Sequence, residues 1–480
     1  MASLILLLIP LVGALAILFG SPARLTATAA SGAALLLGLL TLFTSAAEFW
    51  SISLPVLPLA GINLSLDLID GMSVVLVALT VIVLFAAVLS GQSPRGSEKL
   101  YYSSSLLIAA GALGAFLSRD VFFFYAFHEL ALIPTFLMIG ILGRGDRKAN
   151  AWRITIYLAV GSIVLLAGLL WLVAATGGSF AMSDIALNAP GISPDSQIGI
   201  AALLLLGFGT LVSLFPLHSW AAPAYASAPV PTAMLHAGVL KKFGLYGILR
   251  LAVPLVPEGL AHWNTVLIVL LLGNILWVGY VTVNQRRMDL MLGNSSVMHM
   301  GYIFLAITAL IAAPENTVAL KAAVVLMFAH GVSIALLFAL TDRLERSTGT
   351  LELSQMGGLA KKAPAFAFLF GLAAMASIGL PGLANFAGEV MVFIAGFQQY
   401  DPAVGFGPVQ IGTILALWGV VLSALYMLRA FKNTFQGPLV PSTEGATDIT
   451  ALERIPYYLL AASLLIVGLY PDLLIALLPG

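Results

Sequence analysis

The sequence predicts an all-α fold, namely a polytopic membrane protein with about fourteen transmembrane helices. Its 480 residues are 60% hydrophobic and only 9% charged, whereas soluble proteins carry about 25% charged residues. Apolar runs of roughly 20 residues, the length that crosses a bilayer as a helix, recur along the whole chain. We therefore expect residues 1–480 to form a single transmembrane helical domain.

Hydropathy places the spans at close intervals along the chain. The first is expected to be a true span rather than a cleaved signal, because the segment from Met1 to Gly20 has no basic start and contains Pro10. The longest connections, 46–69, 176–195 and 432–455, are too short for a soluble domain. Numbered 1 to 14 in chain order, the predicted spans are 2–20, 27–46, 70–90, 103–118, 121–143, 151–175, 197–218 (continuing to 227), 229–253, 263–283, 289–312, 317–341, 364–398, 406–431 and 456–478.

The basic residues fall almost entirely on one side of this predicted bundle. Of the 21 Lys and Arg residues, 16 lie in alternate connections, beginning with the one after span 1. The opposite side holds only Arg119 and Arg250, and the remaining three, Lys241, Lys242 and Lys321, lie within spans. Since basic loops stay in the cytoplasm, both termini are expected to be periplasmic, in the inner membrane of a bacterium.

Spans 7 and 12 are each interrupted by a proline, at 215–218 (FPLH) and at 379–382 (GLPG). Proline removes a helical hydrogen bond, and broken helices persist at membrane depth only where protein or water satisfies the freed backbone groups. Because the two breaks lie five spans apart, we predict two inverted five-helix repeats, 103–253 and 263–431. In transporters, paired broken helices in inverted repeats point to the ion pathway.

Ionisable residues inside the spans are the candidate functional residues, because each costs about 3 kcal/mol to insert. Four lie near mid-span: Glu129 in span 5, Lys242 in span 8, His330 in span 11 and Glu389 after the break in span 12. Burial moves both carboxylates and lysines toward proton exchange near neutral pH. These four therefore predict a proton relay. The alternatives are static ion pairs, or side chains that snorkel to the membrane interface.

Four further residues are weaker candidates. Lys241 precedes Lys242 but points about 100° away from it on a helix, so one of the two is expected to be the relay lysine. His128 directly precedes Glu129. His218 and His299 lie near span ends or breaks, where each would either carry protons from an aqueous face or cap backbone carbonyls.

Composition argues against several classes of function. The formal net charge is 0, which gives no support for nucleic-acid binding. The chain has no cysteine, so disulfides, iron–sulfur ligation and thiolate zinc sites are excluded. Its six histidines lack metal-ligand spacing, and no glycine-rich nucleotide motif follows a strand. Any redox cofactor of the system is therefore expected on another chain.

Five sequence blocks in spans 7 to 12 form a recognisable set. They are FPLHSW at 215–220, HAGVLKK at 236–242, SSVMHMG at 295–301, AHG at 329–331, and GLPG with NFAGE at 379–389. Together they resemble the antiporter-like subunits of NADH:quinone oxidoreductase, respiratory complex I, and among these the M type. The resemblance covers spans 4 to 13.

The resemblance implies a fourteen-helix subunit with one proton route, placed beside other subunits in a membrane arm. It matches Glu129, Lys242, His330 and Glu389 to the family's ionisable positions in spans 5, 8, 11 and 12. It further implies that proton translocation is coupled to quinone reduction elsewhere. Flavin, iron–sulfur clusters and quinone are expected on partner subunits, with no cofactor in this chain.

One position departs from the family pattern. The family has a lysine in span 7, five residues before the proline, where it pairs with the glutamate of span 5. Here that position is Leu211, which holds no proton. Glu129 therefore lacks the usual partner, and His128 and His218 are the candidates to replace the lysine.

Two related functions share the same helical core. One is the D-type subunit of a multisubunit Na⁺/H⁺ antiporter, and the other is the membrane subunit of a hydrogenase or formate-oxidising complex. A solute symporter of unrelated fold is a more distant alternative. The sequence alone does not select the transported ion, the electron donor or the quinone.

Overall fold

The computed structural model describes residues 1–43, 47–58, 61–68 and 70–479 of the chain. Helices occupy the predicted positions, and the span numbers are kept for them. The predicted end of span 2, residue 46, lies outside the described residues. The helices are Ala2–Leu18, Ala23–Leu40, Gly71–Ser90, Glu98–Leu117, Val121–Leu142, Arg147–Ala175, Pro194–Val212 with Ala221–Ser227, Val230–Leu235 continuing through His236–Leu240, Lys241–Gly247, Ile248–Ala252 and Val253–Leu255, Pro257–Leu272 continuing through Gly273–Val278 and Gly279–Val283, Met288–Ala312, Thr317–Thr348, Pro364–Ile378 with Ala384–Phe397, Pro408–Ala416 with Trp418–Phe435, and Ala451–Leu469.

Eleven helices in the described part of the chain are long and apolar enough to cross a membrane. Span 1 is shorter than these eleven, with 17 residues. Span 12 is broken into two pieces, and span 8 changes between α-helical and π-helical turns. The polytopic helical architecture is therefore confirmed, and the total of fourteen spans stays a prediction. Short connecting helices are Ala47–Trp50, Met182–Asn188, Pro441–Glu444 and Asp472–Ile475, with 3₁₀ turns at Thr41–Phe43, Ala189–Gly191, Leu353–Gln355 and Leu359–Lys361.

Both predicted breaks are present. The first piece of span 7 ends at Val212 and that of span 12 at Ile378. The next residue in each case is left-handed, Ser213 with φ 67° and Gly379 with φ 83°. In both breaks the left-handed turn ends the helix, and the backbone N–H groups of Leu214 and Leu380 bond back to the carbonyls of Gly209 and Met375. The carbonyls that follow, those of Ser213 and Ser377, are bonded by side chains from spans 9 and 10. The division into two inverted repeats stays a prediction.

Spans 8 and 9 contain π-helical turns. In span 8 they are His236–Leu240 and Ile248–Ala252, and in span 9 the turn is Gly273–Val278. Such wider turns occur often at functional sites. The first lies directly before the two lysines of span 8, and the one in span 9 carries a buried asparagine, Asn274.

A β-hairpin lies in the connection between spans 2 and 3 and adds to the predicted all-α fold. Its strands are β1, Ile52–Leu57, and β2, Ile62–Leu66, paired antiparallel. Hydropathy alone does not separate these short apolar segments from a helix, but apolar residues alternate in both, which is the strand signal. The hairpin meets the bundle where Leu66 bridges to Ser118.

The interior of the bundle consists mainly of spans 3, 4, 8, 10 and 11. The central part of span 11 is wholly buried, and most of spans 3, 4 and 10 is buried as well. By contrast, less than half of the central part of spans 2, 5, 13 and 14 is covered by the rest of the chain. Polar side chains on spans 8, 10 and 11 therefore have no route to lipid and must be satisfied within the protein.

Ion pairs join residues that the sequence assigned to the same side of the membrane. Arg144, after span 5, pairs with Glu345, at the end of span 11. Arg250, near the end of span 8, pairs with Asp70, at the start of span 3. The alternation of sides predicted from the basic residues thus agrees with the contacts of the folded chain.

Candidate functional site

Lys242 and His330 meet in the centre of the bundle. Lys242 is 0% exposed and His330 is 2% exposed. The Lys242 Nζ atom donates to the carbonyl oxygen of Ala237 at 2.8 Å and lies 2.9 Å from His330 Nδ1. An ammonium group can only donate, so the contact requires one of the two side chains to be neutral. A proton can therefore be shared between Lys242 and His330.

His299 continues this contact on span 10. Its ring centroid lies 5.7 Å from that of His330. Its Nδ1 is 2.8 Å from the carbonyl oxygen of Ser295, and its Nε2 is 2.9 Å from that of Ser377, two residues before Gly379 at the break in span 12. A neutral imidazole carries one N–H, so only the doubly protonated ring satisfies both carbonyls. The two backbone carbonyls therefore form a site in which a doubly protonated His299 ring is fully hydrogen-bonded.

Glu389 lies at the break in span 12 and is 5% exposed. Its Oε1 atom is buried and has no hydrogen-bond partner. Its other oxygen, Oε2, lies against Gly379, so closely that a Cβ atom at that position would overlap it.

The relay and static-pair hypotheses differ in what should surround these groups. Among the described residues, neither Lys242 nor Glu389 forms an ion pair. A buried charge without a partner is costly to fold, and such groups within a membrane are usually functional. The geometry therefore favours the relay over static ion pairs for these two residues.

Lys241 takes a different direction from Lys242, as its spacing predicted. It is also 0% exposed. Its Nζ atom donates to Ser296 Oγ at 3.3 Å and lies 5.3 Å from the centre of the Tyr225 ring. Lys241 thus does not reach the membrane interface, and the two neighbouring lysines have separate partners.

The predicted burial of Glu129 is wrong in part. Its side chain is 38% exposed and lines a cavity of about 430 Å³ between spans 5 and 6. The reason is that span 5 lies on the outside of the bundle, where no helix in the described part of the chain covers this face. Ser162 Oγ donates to Glu129 Oε1, and His128 Nδ1 lies 3.4 Å from the same oxygen. Glu129 has no direct contact with Lys242.

His128 and His218 are the two residues that the sequence offers as replacements for the family's lysine of span 7. His128 is 3% exposed, and its ring stacks on Phe243 with centroids 4.2 Å apart. His218 is half-buried in the break of span 7, where it stacks on Phe215. Leu211, at the position of the family's lysine, is buried. In the described part of the chain, no three His, Asp or Glu side chains gather as metal ligands would.

Asn274 is a polar residue that the sequence analysis missed. It is fully buried, accepts from the backbone N–H of Phe215 at 2.6 Å, and donates to the carbonyls of Ser213 at 3.1 Å and Val297 at 2.9 Å. It therefore satisfies the backbone freed by the break in span 7 and ties that break to span 10. The signal was available, since Asn274 is the one amide in the apolar run 265–283.

Comparisons with known proteins agree with this architecture. Residues 118–416 match the family model described as NADH:quinone oxidoreductase/Mrp antiporter, transmembrane. The chain is 34% identical over 418 residues to NAD(P)H-quinone oxidoreductase chain 4 of Synechococcus elongatus, covering 87% of this chain and 76% of that protein.

Two solved structures share the fold. A chain of respiratory complex I from Thermus thermophilus with bound NADH superposes with a TM-score of 0.89 at 28% identity, covering 100% of both chains. A chain of the Mrp complex from a Dietzia species superposes with a TM-score of 0.84, covering 99% of this chain and 95% of that one. The latter identity, 21%, shows a shared fold alone. The family predicted from the sequence blocks is confirmed: the chain belongs to the NADH:quinone oxidoreductase/Mrp antiporter transmembrane family.

Proposed function

We propose that this chain is a proton-translocating subunit in the membrane arm of a complex I-type NADH:quinone oxidoreductase. In that role it is part of a translocase and moves protons while other subunits reduce quinone. The observation that carries the proposal is the contact chain from Lys242 through His330 to His299, buried at the centre of the bundle and ending at the break that holds Glu389.

The chemistry of this chain of residues suits protons better than Na⁺. Hard cations bind oxygen ligands, whereas Lys242, His330 and His299 present nitrogen atoms, which would repel a cation when protonated. Each of these groups can accept and release a proton. In addition, both hydrogen bonds of His299 to backbone carbonyls form only when its ring is doubly protonated. The Na⁺/H⁺ antiporter alternative shares the fold, but the nitrogen-lined centre favours a proton-only path.

The relatives support the assignment to a quinone oxidoreductase. The Synechococcus protein is named as a chain of NAD(P)H-quinone oxidoreductase, and the Thermus structure is a respiratory complex I. By this proposal the partners are other membrane-arm subunits, the bilayer and the transported proton. Flavin, iron–sulfur clusters and quinone belong to those partners, in keeping with a chain that has no cysteine.

The proposal includes an orientation in a bacterial inner membrane, with both termini periplasmic. Because the chain has no native cysteine, single cysteines report accessibility cleanly. In intact cells, a membrane-impermeant maleimide should label Ser51→Cys, which is exposed beside the hairpin, and leave Lys361→Cys unlabelled. The reverse pattern would show that the orientation is inverted.

Glu389→Gln tests the proposed function at the break of span 12. Glutamine keeps the shape of the side chain but cannot ionise, so we expect the complex to assemble while the rate of proton translocation falls about a hundredfold. The matched control is Glu258→Gln, an exposed carboxylate at the start of span 9. Pumping per electron in sealed vesicles is the measurement, and an unchanged value for Glu389→Gln would remove this residue from the mechanism.

A further inference from the structure

We propose that Lys241 is a second proton-carrying residue of this subunit, and that His236 and His128 connect it to Glu129. Tyr225 is the positioning residue of this connection. The proposal rests on the proposed function and deepens it, because it adds a branch that begins at the outer cavity beside Glu129 and ends at the central residues.

The surroundings of Lys241 are compatible with both a charged and a neutral side chain. The side chain is fully buried, yet in the described structure no carboxylate forms an ion pair with it. It is held only by the Ser296 hydroxyl at 3.3 Å and by the face of the Tyr225 ring at 5.3 Å. A hydroxyl and an aromatic ring hold an ammonium group but also tolerate a neutral amine. Lys241 can therefore gain and lose a proton without stranding a charged partner.

Tyr225 joins Lys241 to His236. The ring of Tyr225 lies under the lysine, while its hydroxyl lies 3.2 Å from His236 Nδ1. His236 begins the π-helical turn that ends directly before Lys241. One phenol thus fixes both basic groups, the ammonium by its face and the imidazole by its hydroxyl.

An unpartnered ring nitrogen of His236 continues the branch toward span 5. His236 Nε2 is buried and has no hydrogen-bond partner in the described structure. His128 packs against the same span 8, where its ring stacks on Phe243 with centroids 4.2 Å apart. An unsatisfied buried nitrogen calls for an explanation, and proton exchange with His128 through one bridging water would supply it. His128 Nδ1 in turn lies 3.4 Å from Glu129 Oε1.

The inner end of the branch joins the central residues. Ser296, the acceptor of Lys241, precedes His299 by three positions on span 10, which places them on neighbouring turns of one helix face. A proton taken up at Glu129 would pass to His128, then to His236, and then to the neutral amine of Lys241. From there it would enter the group formed by His299, His330 and Lys242. Only a proton moves at each step, and each donor is left with its lone pair.

The position of Lys241 also accounts for the departure at Leu211. The Lys241 Nζ atom lies 5.3 Å from the centre of the Tyr225 ring. Trp220, whose ring contacts Tyr225, donates to the carbonyl of Thr210, the residue before Leu211. The basic group absent from span 7 is therefore supplied to the same region from span 8.

The experiment compares variants of the assembled complex in sealed vesicles, with subunit abundance on a native gel and proton translocation as paired readouts. Lys241→Met removes a buried group that forms no ion pair, so the complex should assemble while proton translocation falls about a hundredfold. Lys241→Arg keeps the charge, but a guanidinium does not release its proton, so it should fail in the same way.

Tyr225→Phe keeps the ring under Lys241 and removes only the hydroxyl that orients His236. We expect it to assemble and to lower the rate about fivefold, the loss of one hydrogen bond. Tyr101→Phe, an equally buried tyrosine on span 4, is the matched control and should pump normally. If Lys241→Met were too poorly assembled to assay, the rate in Tyr225→Phe would decide, and a normal rate would overturn the proposal.

Lys242→Met separates this inference from the proposed function. If Lys241→Met and Lys241→Arg pump like Tyr101→Phe while Lys242→Met does not pump, the branch is wrong and the central relay stands. If Lys242→Met also pumps normally, the proposed function itself fails. Normal pumping by Lys241→Arg alone would show that Lys241 supplies a fixed charge rather than a proton, which also overturns the proposal.

Discussion

The two broken helices have similar backbones and different chemistry. At the break of span 7, the freed backbone is held by the neutral amide of Asn274, and the adjacent His218 is half-buried and stacked on Phe215. At the break of span 12, the freed carbonyl of Ser377 is held by His299, and the Glu389 carboxylate lies against Gly379. A break in a helix therefore does not by itself make a proton site. The side chain that satisfies the break decides whether it can carry a proton.

The same contrast extends to the two halves of the chain. In the second half, the proposed proton-carrying residue Glu389 lies at the break itself. In the first half, the proposed residues lie away from the break, on span 8 at Lys241 and Lys242 and on the outer face of span 5 at Glu129. We interpret the break of span 7 as a structural connection to spans 9 and 10, and the break of span 12 as part of the proton path.

Asn274→Leu should disconnect the break of span 7 from spans 9 and 10, and we expect it to have the largest effect of the three substitutions. It leaves the Phe215 N–H and the Ser213 carbonyl without partners, each at a cost of about 1–3 kcal/mol, and removes the second bond to the Val297 carbonyl, so the subunit should fail to accumulate in the complex. Asn264→Leu on the same span loses a single hydrogen bond, to the carbonyl of Thr308, and should assemble. Equal abundance of the two variants on a native gel would contradict the role given to Asn274.

Gly379→Ala should damage the proton site while Gly382→Ala spares it. Both glycines are left-handed, with φ 83° and 89°, so both alanines carry a similar backbone penalty. At Gly379 the new Cβ would also displace the Glu389 carboxylate, whereas at Gly382 its nearest neighbour is Leu469 at 3.9 Å. We expect pumping about tenfold lower in the first than in the second, because the Glu389 carboxyl, which we propose to carry the proton, is displaced. Equal rates at equal abundance would show that the position of Glu389 does not matter.

Glu129→Gln should have the smallest effect of the three. The side chain is partly exposed to its cavity and is hydrogen-bonded by Ser162, so glutamine is accommodated without stranding a charge. We expect normal assembly and a rate about fivefold lower, because water in the cavity can still deliver protons to His128. A loss as large as that of Glu389→Gln would show that the first half limits translocation as strongly as the second.

The sequence predicted the spans, both breaks and the central residues because these depend on local signals. Hydropathy locates helices, proline marks breaks, and an ionisable residue in mid-span is costly wherever it lies. Thus Lys242, His330 and Glu389 could be identified before any contact was known. Helix geometry predicted that only one of the two neighbouring lysines is the relay residue, and the choice of Lys242 over Lys241 followed from the family resemblance.

The remaining features depend on contacts between distant segments. The exposure of Glu129 follows from span 5 lying on the outside of the bundle, which its own sequence does not reveal. The three hydrogen bonds of Asn274 reach spans 7 and 10, so its role appears only when these elements are brought together. The hairpin at 52–66 was hidden because its strands are short and as apolar as the helices around them.

In the proposed mechanism, Lys242 passes a proton to His330 rather than serving as a static buried charge. Lys242→Met keeps most of the volume of the side chain and removes the group that can be protonated. Subunit abundance on a native gel and proton pumping in sealed vesicles, measured on the same preparation, test the claim directly. We predict normal abundance with pumping reduced about a hundredfold, whereas normal pumping, or loss of the subunit from the complex, would contradict it.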